Sequence, residues 1–126
     1  MRLNGTRAAA PRVNTRQARD DRESACRFVM ALVAAWLGVD APALAATGRG
    51  SAKVAFARSA AMYLVHVKLG MTMTEVGRQF GRDRTTVSHA CRRIEDARDD
   101  RRFDALLSRL EGALDRWRTT FLEARA

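Results

Sequence analysis

The chain has 126 residues, enough for one packed domain and too few for a DNA reader joined to a nucleotide-driven motor. A hydrophobic content of 47% with only 6% aromatic, supplied largely by Ala, Leu, Val and Met, points to an all-α domain rather than a β-rich one. The formal net charge of +9 selects polyanions as partners, nucleic acid first, although a basic surface can also serve solubility alone.

Residues 1–22 carry Arg2, Arg7, Arg12, Arg16, Arg19 and Arg22 with almost nothing apolar to bury, and are expected to form a flexible basic N-terminal tail. The domain proper is expected to span 23–126. From Ser24, the residues Cys26, Val29, Met30, Val33, Trp36 and Leu37 recur at helical steps, which predicts a helix with one buried stripe, ended by Gly38. Asp40-Ala41-Pro42 opens a short helix to Ala46. The arginine-rich start, the apolar run Phe28–Leu37 and Ala43-Leu44-Ala45 together imitate a secretory signal. Asp20, Asp21 and Glu23 interrupt that pattern, and the run falls short of the roughly 20 apolar residues a bilayer span needs. A cytoplasmic, nucleoid-associated protein without membrane attachment is expected.

After the loop Thr47–Ser51, residues 52–69 predict a long central helix with Val54, Ala57, Ala61, Leu64, Val65 and Lys68 on one face and Phe56, Met62 and Leu69 widening it. Gly70 ends it, and Thr72-Met73-Thr74-Glu75 has the capping-box spacing for a new helix running to about Phe80. Gly81-Arg82-Asp83 is a tight turn, and Arg84–Arg98 forms the next helix with Val87, Ala90, Cys91 and Ile94 inward. A last helix, about 102–123, places Phe103, Leu106, Leu107, Leu110, Leu114, Trp117 and Phe121 on an apolar stripe that can serve its own core or a homodimer through this C-terminal helix. Cys26 and Cys91 fall inside apolar stripes, and neither they nor His66 and His89 have metal-ligand spacing. No cofactor, metal or catalytic set is expected.

Two helices joined by a glycine-containing turn make a helix-turn-helix. With the apolar residues of 84–98 facing in, Arg84, Thr85, Thr86, Ser88, His89, Arg92 and Arg93 are left on the start and outer flank. A helix entering the major groove offers its N-terminal residues to base edges. Arg84 and His89 can donate to guanine, Asp83 can accept from cytosine, and Thr85 or Thr86 can pack a methyl on thymine. Arg92, Arg93 and Arg98 lie where phosphates would be met. On spacing alone the same residues can equally be a solvated face, with Asp83 or Thr85 as a helix cap.

The run Gly81-Arg82-Asp83-Arg84-Thr85-Thr86-Val87-Ser88-His89-Ala90-Cys91-Arg92-Arg93-Ile94-Glu95 closely resembles the signature of the C-terminal, origin-binding domain (domain IV) of the bacterial chromosomal replication initiator DnaA. The similarity extends upstream through Val54-Ala55, Arg58, Ala61, Met62, Leu64 and Glu75-Val76-Gly77, and covers roughly residues 24–99. It implies a TrpR-like, all-α single domain of five to six helices, with Asp83, Thr85, Thr86 and His89 at bases and Arg58 near the backbone. Together with the helix reading, the expected base contacts are Asp83, Arg84, Thr85, Thr86 and His89, and the expected backbone contacts Arg58, Thr72, Thr74, Arg82, Ser88, Arg92 and Arg93. Three positions depart from the family pattern. Arg84 stands where the initiator usually has histidine, and the turn has one glycine instead of two. Phe56 occupies the place of an arginine that enters the minor groove, a contact that Arg49, Lys53 or the basic tail can replace.

No Gly-x-x-x-x-Gly-Lys-Ser/Thr loop occurs, so no nucleotide is expected as a partner and these residues are not expected to melt an origin. The expected function is sequence-specific double-stranded DNA binding without enzymatic activity, serving transcription regulation. The alternatives are a regulator of replication initiation at origin-type sites and, in another class, a helical protein-interaction module.

Overall fold

A computed structural model describes residues 15–125, with side chains described to residue 120. Six helices and no strand occur among them: α1 Thr15–Leu37, α2 Ala41–Ala45, α3 Ala52–Leu69, α4 Met73–Phe80, α5 Arg84–Ala97 and α6 Arg101–Arg125. The expected all-α class holds. Of the expected basic tail, residues 1–14 lie outside the described residues, and 15–22 are helical instead.

Composition missed those first turns because they bury little. Once residues 26–37 are helical the costly nucleus already exists, and extension needs only modest support. The Gln17 amide supplies some by donating to Asp21 Oδ1 at 3.0 Å, one turn on. An Arg22–Glu75 ion pair of 2.7 Å then ties the extension to α4.

Cys26, Val29, Met30 and Val33 are buried as their spacing predicts, but Trp36 is 47% exposed. At 100° per residue the stripe centres on Met30, Val33 and Leu37, and Trp36 lies about 90° round the helix from that centre. The aromatic contact on α1 is made by Phe28 instead, which stacks on Trp117 of α6 with ring centroids 4.5 Å apart.

Helix α3 is central, packed against α1, α2, α4, α5 and α6. From Ala55 to Val65 every residue except Phe56 is buried, as expected of a helix enclosed on all sides. Ala57, Ala60 and Ala61 supply small contact points for its neighbours. Its start is capped as the sequence predicts, with the Ser51 hydroxyl accepting from the Val54 amide at 3.1 Å. By contrast Asp40, at the cap position of α2, makes no side-chain cap bond.

Helix α6 starts on Asp100, whose carboxylate accepts from the amides of Arg102 and Phe103 at 2.9 and 3.0 Å. Its stripe Leu107, Leu110 and Leu114 is buried in the chain's own core. Phe121 belongs to the side chains that are not described. Among the described residues, no helix is long and apolar enough to cross a membrane.

Candidate nucleic-acid interface

Local chemistry builds the helix-turn-helix. Thr72 and Glu75 close a capping box at α4: the Thr72 hydroxyl accepts from the Glu75 amide at 3.1 Å, and the Glu75 carboxylate accepts from the Thr72 amide at 2.9 Å. The turn reverses at Gly81, whose φ of 65° is a left-handed conformation natural to glycine. The Gly77 carbonyl accepts from both the Gly81 and Arg82 amides. A Cβ on Gly77 would collide with the Arg82 carbonyl oxygen, so this glycine lets the turn close.

Asp83 is the N-cap of α5, its Oδ1 accepting from the Thr86 amide at 2.8 Å. These hydrogen bonds from Thr86 hold its carboxyl below the ordinary value. One oxygen is thus committed to the cap, and any base contact from Asp83 falls to the other.

Val87, Ala90, Cys91 and Ile94 face the core, while Arg84, Thr85, Thr86, His89, Arg92 and Arg93 are exposed and Ser88 is half-buried. Helix α6 does not seal this face, because it packs on α3 and α1. Thr74, Arg49 and Lys53 are also exposed, and Thr72 is exposed with its hydroxyl in the capping box.

An open cleft of about 460 Å³ runs beside α5. Its lining brings together Thr47, Gly48 and Arg49 of the loop, Thr86, His89 and Arg93 of α5, the buried Arg58 and Ser59 of α3, and Gly81 and Arg82 of the turn. Four arginines and no carboxylate line it.

Three of the arginines expected near phosphates also hydrogen-bond within the chain. Arg58 is only 5% exposed and donates to the carbonyls of Leu44 (2.8 Å), Arg49 (3.0 Å) and Ala43 (3.0 Å). A five-residue helix leaves carbonyls without intrahelical partners, and the guanidinium fork supplies donors for those of α2. Burial first, and then repulsion from Arg82, push this guanidinium below its ordinary value.

Arg82 donates to the carbonyls of Phe80 (2.8 Å), Ala46 (2.9 Å) and Gly48 (2.5 Å). Arg98 turns from the expected phosphate path to hold α6: it bonds Asp104 at 2.6 Å, both Glu111 oxygens at 3.1 and 3.2 Å, Ser108 at 3.1 Å and the Tyr63 hydroxyl at 3.1 Å. These partners, Glu111 foremost, raise its pKa. Phe56 packs edge-on against Phe103 at 5.2 Å, which ties α3 to α6.

The structural arginines left one trace in the sequence. Arg58 interrupts an otherwise continuous small and apolar run, Ala55–Ala61, and a cation so placed must find internal acceptors.

A capped hairpin of two helices, the second presenting exposed threonines, arginines and a histidine from its first turns, defines a helix-turn-helix domain. The family described as the bacterial DnaA protein helix-turn-helix matches residues 26–94, more than half of the chain, and the protein belongs to that family. A DnaA-type helix-turn-helix implies binding to double-stranded DNA, and its fold is a non-catalytic one.

Proposed function

We propose that the protein binds duplex DNA with sequence preference by setting the first turns of α5 in the major groove. Asp83, Arg84, Thr85, Thr86 and His89 meet base edges, and Thr72, Thr74, Ser88, Arg92 and Arg93 meet the sugar-phosphate backbone. The observation that carries this reading is the exposed Arg84-Thr85-Thr86 start with His89 one turn on, left uncovered by α6. Helical interaction modules have no need of that combination at a capped helix start. Arg49, in the lining of the cleft, and the exposed Lys53 are assigned to the adjacent minor groove. The biological use proposed is transcription regulation, since a reader of this kind marks or blocks DNA. Occupation of origin-type sites is the second reading, favoured by the family to which the domain belongs.

Titration of duplex across salt tests the binding, with a log-log slope near −0.9 expected per neutralised phosphate. Thr86→Ala and His89→Ala are expected to reduce discrimination between sites by roughly 1–3 kcal/mol per lost contact. Arg92→Ala should weaken all sequences alike. Site preference untouched by all three would remove α5 as the reading element. Genome-wide mapping separates the two uses: promoter peaks support transcription regulation, origin peaks replication.

A further inference from the structure

The geometry points to Arg82 as a positioning residue: it clips the Ala46–Gly48 segment to the turn before α5 and so sets the spacing between two DNA-reading elements. This rests on the DNA-binding reading above. Arg82 is fixed at both ends. Its amide donates to the Gly77 carbonyl at 2.9 Å, inside the helix-turn-helix, while its guanidinium reaches 34 and 36 positions back in the chain to the carbonyls of Gly48 and Ala46. Asp83, the cap of α5, is the next residue. The side chain therefore holds the loop in place relative to the start of α5, while the backbone bond to Gly77 holds the turn itself.

The segment it holds needs such a clip. Gly48 and Gly50 sit at φ values of 82° and 74°, and a glycine-rich stretch loses much conformational freedom when ordered. Arg58 restrains the same segment from beneath through the Arg49 carbonyl. Both guanidiniums bond neutral carbonyls, so their charge remains to raise the positive potential of the cleft.

The cleft explains why spacing matters. One sugar-phosphate strand separates the major groove from the neighbouring minor groove, and a protein with a helix in one and an arm or loop in the other straddles that strand. Here the Thr47–Arg49 segment and the Thr86, His89 and Arg93 face of α5 line one cleft together with Arg82. Lysine's three donors all radiate from a single nitrogen, which cannot span three separated carbonyls as the planar fork does.

The test compares wild type with Arg82→Ala, Arg82→Lys, Arg49→Ala and the Arg49→Ala/Arg82→Ala double variant, on a duplex selected from a random pool by the wild-type protein. Circular dichroism and cooperative melting verify each fold. Arg49→Ala is expected to weaken wild-type binding by roughly fivefold or more, and to add less than about twofold once Arg82 is gone, the signature of coupled residues. The double variant should keep the salt slope of Arg49→Ala alone, and Arg82→Lys should behave as Arg82→Ala. Multiplicative losses, with a double-variant slope smaller in magnitude by about 0.9, would instead make Arg82 a phosphate contact and overturn the inference. So would wild-type binding by Arg82→Lys.

A readout without DNA separates this inference from the DNA-binding reading. Amide exchange in residues 46–50 is expected to accelerate in Arg82→Ala while that of α5 stays at its wild-type rate. Unchanged exchange in the loop refutes the clip, whereas absence of selective binding by wild-type protein refutes only the reading beneath it.

Discussion

Gly77→Ala sets two well-known effects against each other at one atom. Replacing a helical glycine with alanine gains about 0.8–1.0 kcal/mol of helix propensity. At Gly77 the added methyl meets the Arg82 carbonyl oxygen, with the Arg82 and Asp83 carbonyl carbons at 3.4 and 3.5 Å behind it. The obstacle is backbone, and that backbone is itself tied back to the Gly77 carbonyl, so it cannot swing aside like the tip of a side chain. Overpacking of this kind costs about 1–3 kcal/mol, and against a rigid backbone obstacle the upper part of that range applies, for a net loss of up to about 2 kcal/mol. In a chain of 126 residues each kcal/mol shifts the melting temperature by roughly 3–5 °C.

Gly112→Ala is the matched control. It also lies within a helix, but its new methyl would find only Arg116 Nη1, at an ordinary 3.7 Å, and a gain of about 0.5–1 kcal/mol is expected. Thermal and urea unfolding followed by circular dichroism measures both variants, and a duplex titration measures the consequence for binding. Gly77→Ala should lose affinity because the turn it displaces carries Asp83 and the start of α5, while Gly112→Ala should bind as wild type. If Gly77→Ala melts at or above the wild-type temperature with unchanged affinity, the close approach of Arg82 to Gly77 is not what shapes the turn.

Arg98→Ala is expected to cost about 2–3 kcal/mol in urea unfolding, since it leaves the half-buried Glu111 and Asp104 carboxylates without their shared cation. Its duplex affinity under conditions where it stays folded should remain near wild type. The caps predict a pH dependence. Backbone hydrogen bonds hold the Asp83 and Glu75 carboxyls below their ordinary values, so their stabilising contribution is present above the unfolded carboxylate range near about pH 4 and is lost as pH falls through the lowered folded values. Stability should be flat from about pH 7 to 5 and decline below about 4, and Asp83→Asn, a cap that does not titrate, should remove part of that decline. Burial pushes the Cys26 thiol up to about 12 and raises Cys91 as well. Neither should therefore react with a thiol reagent at about pH 8 until the protein is unfolded, a result checked by absorbance of the released chromophore.

The helix boundaries from 24 onward were legible because glycine and capping residues mark them: Gly38, Ser51, Gly70, the Thr72–Glu75 box and Gly81 each act locally, within one turn. The inward stripe of α5 and the outward set from Arg84 to Arg93 were legible for the same reason, since one periodicity decides both. The arginines were not. Arg58, Arg82 and Arg98 carry the same charge as Arg92 and Arg93, yet their guanidiniums are engaged by acceptors within the chain. What decides this is the presence of acceptors brought from elsewhere: the carbonyls that α2 leaves unbonded, and the carboxylates of Asp104 and Glu111.

By itself the sequence determined the all-helical class, the order and ends of the main helices, and the two helices of the helix-turn-helix, all of which depend on contacts within a few residues. Only the tertiary structure decided which cations face outward, that Trp36 stands at the surface while Phe28 takes the stacking partner, and that Leu107, Leu110 and Leu114 of α6 enter the chain's own core. Those outcomes depend on which groups distant in the chain arrive at the same place, and a guanidinium carries no local record of the acceptor it will meet.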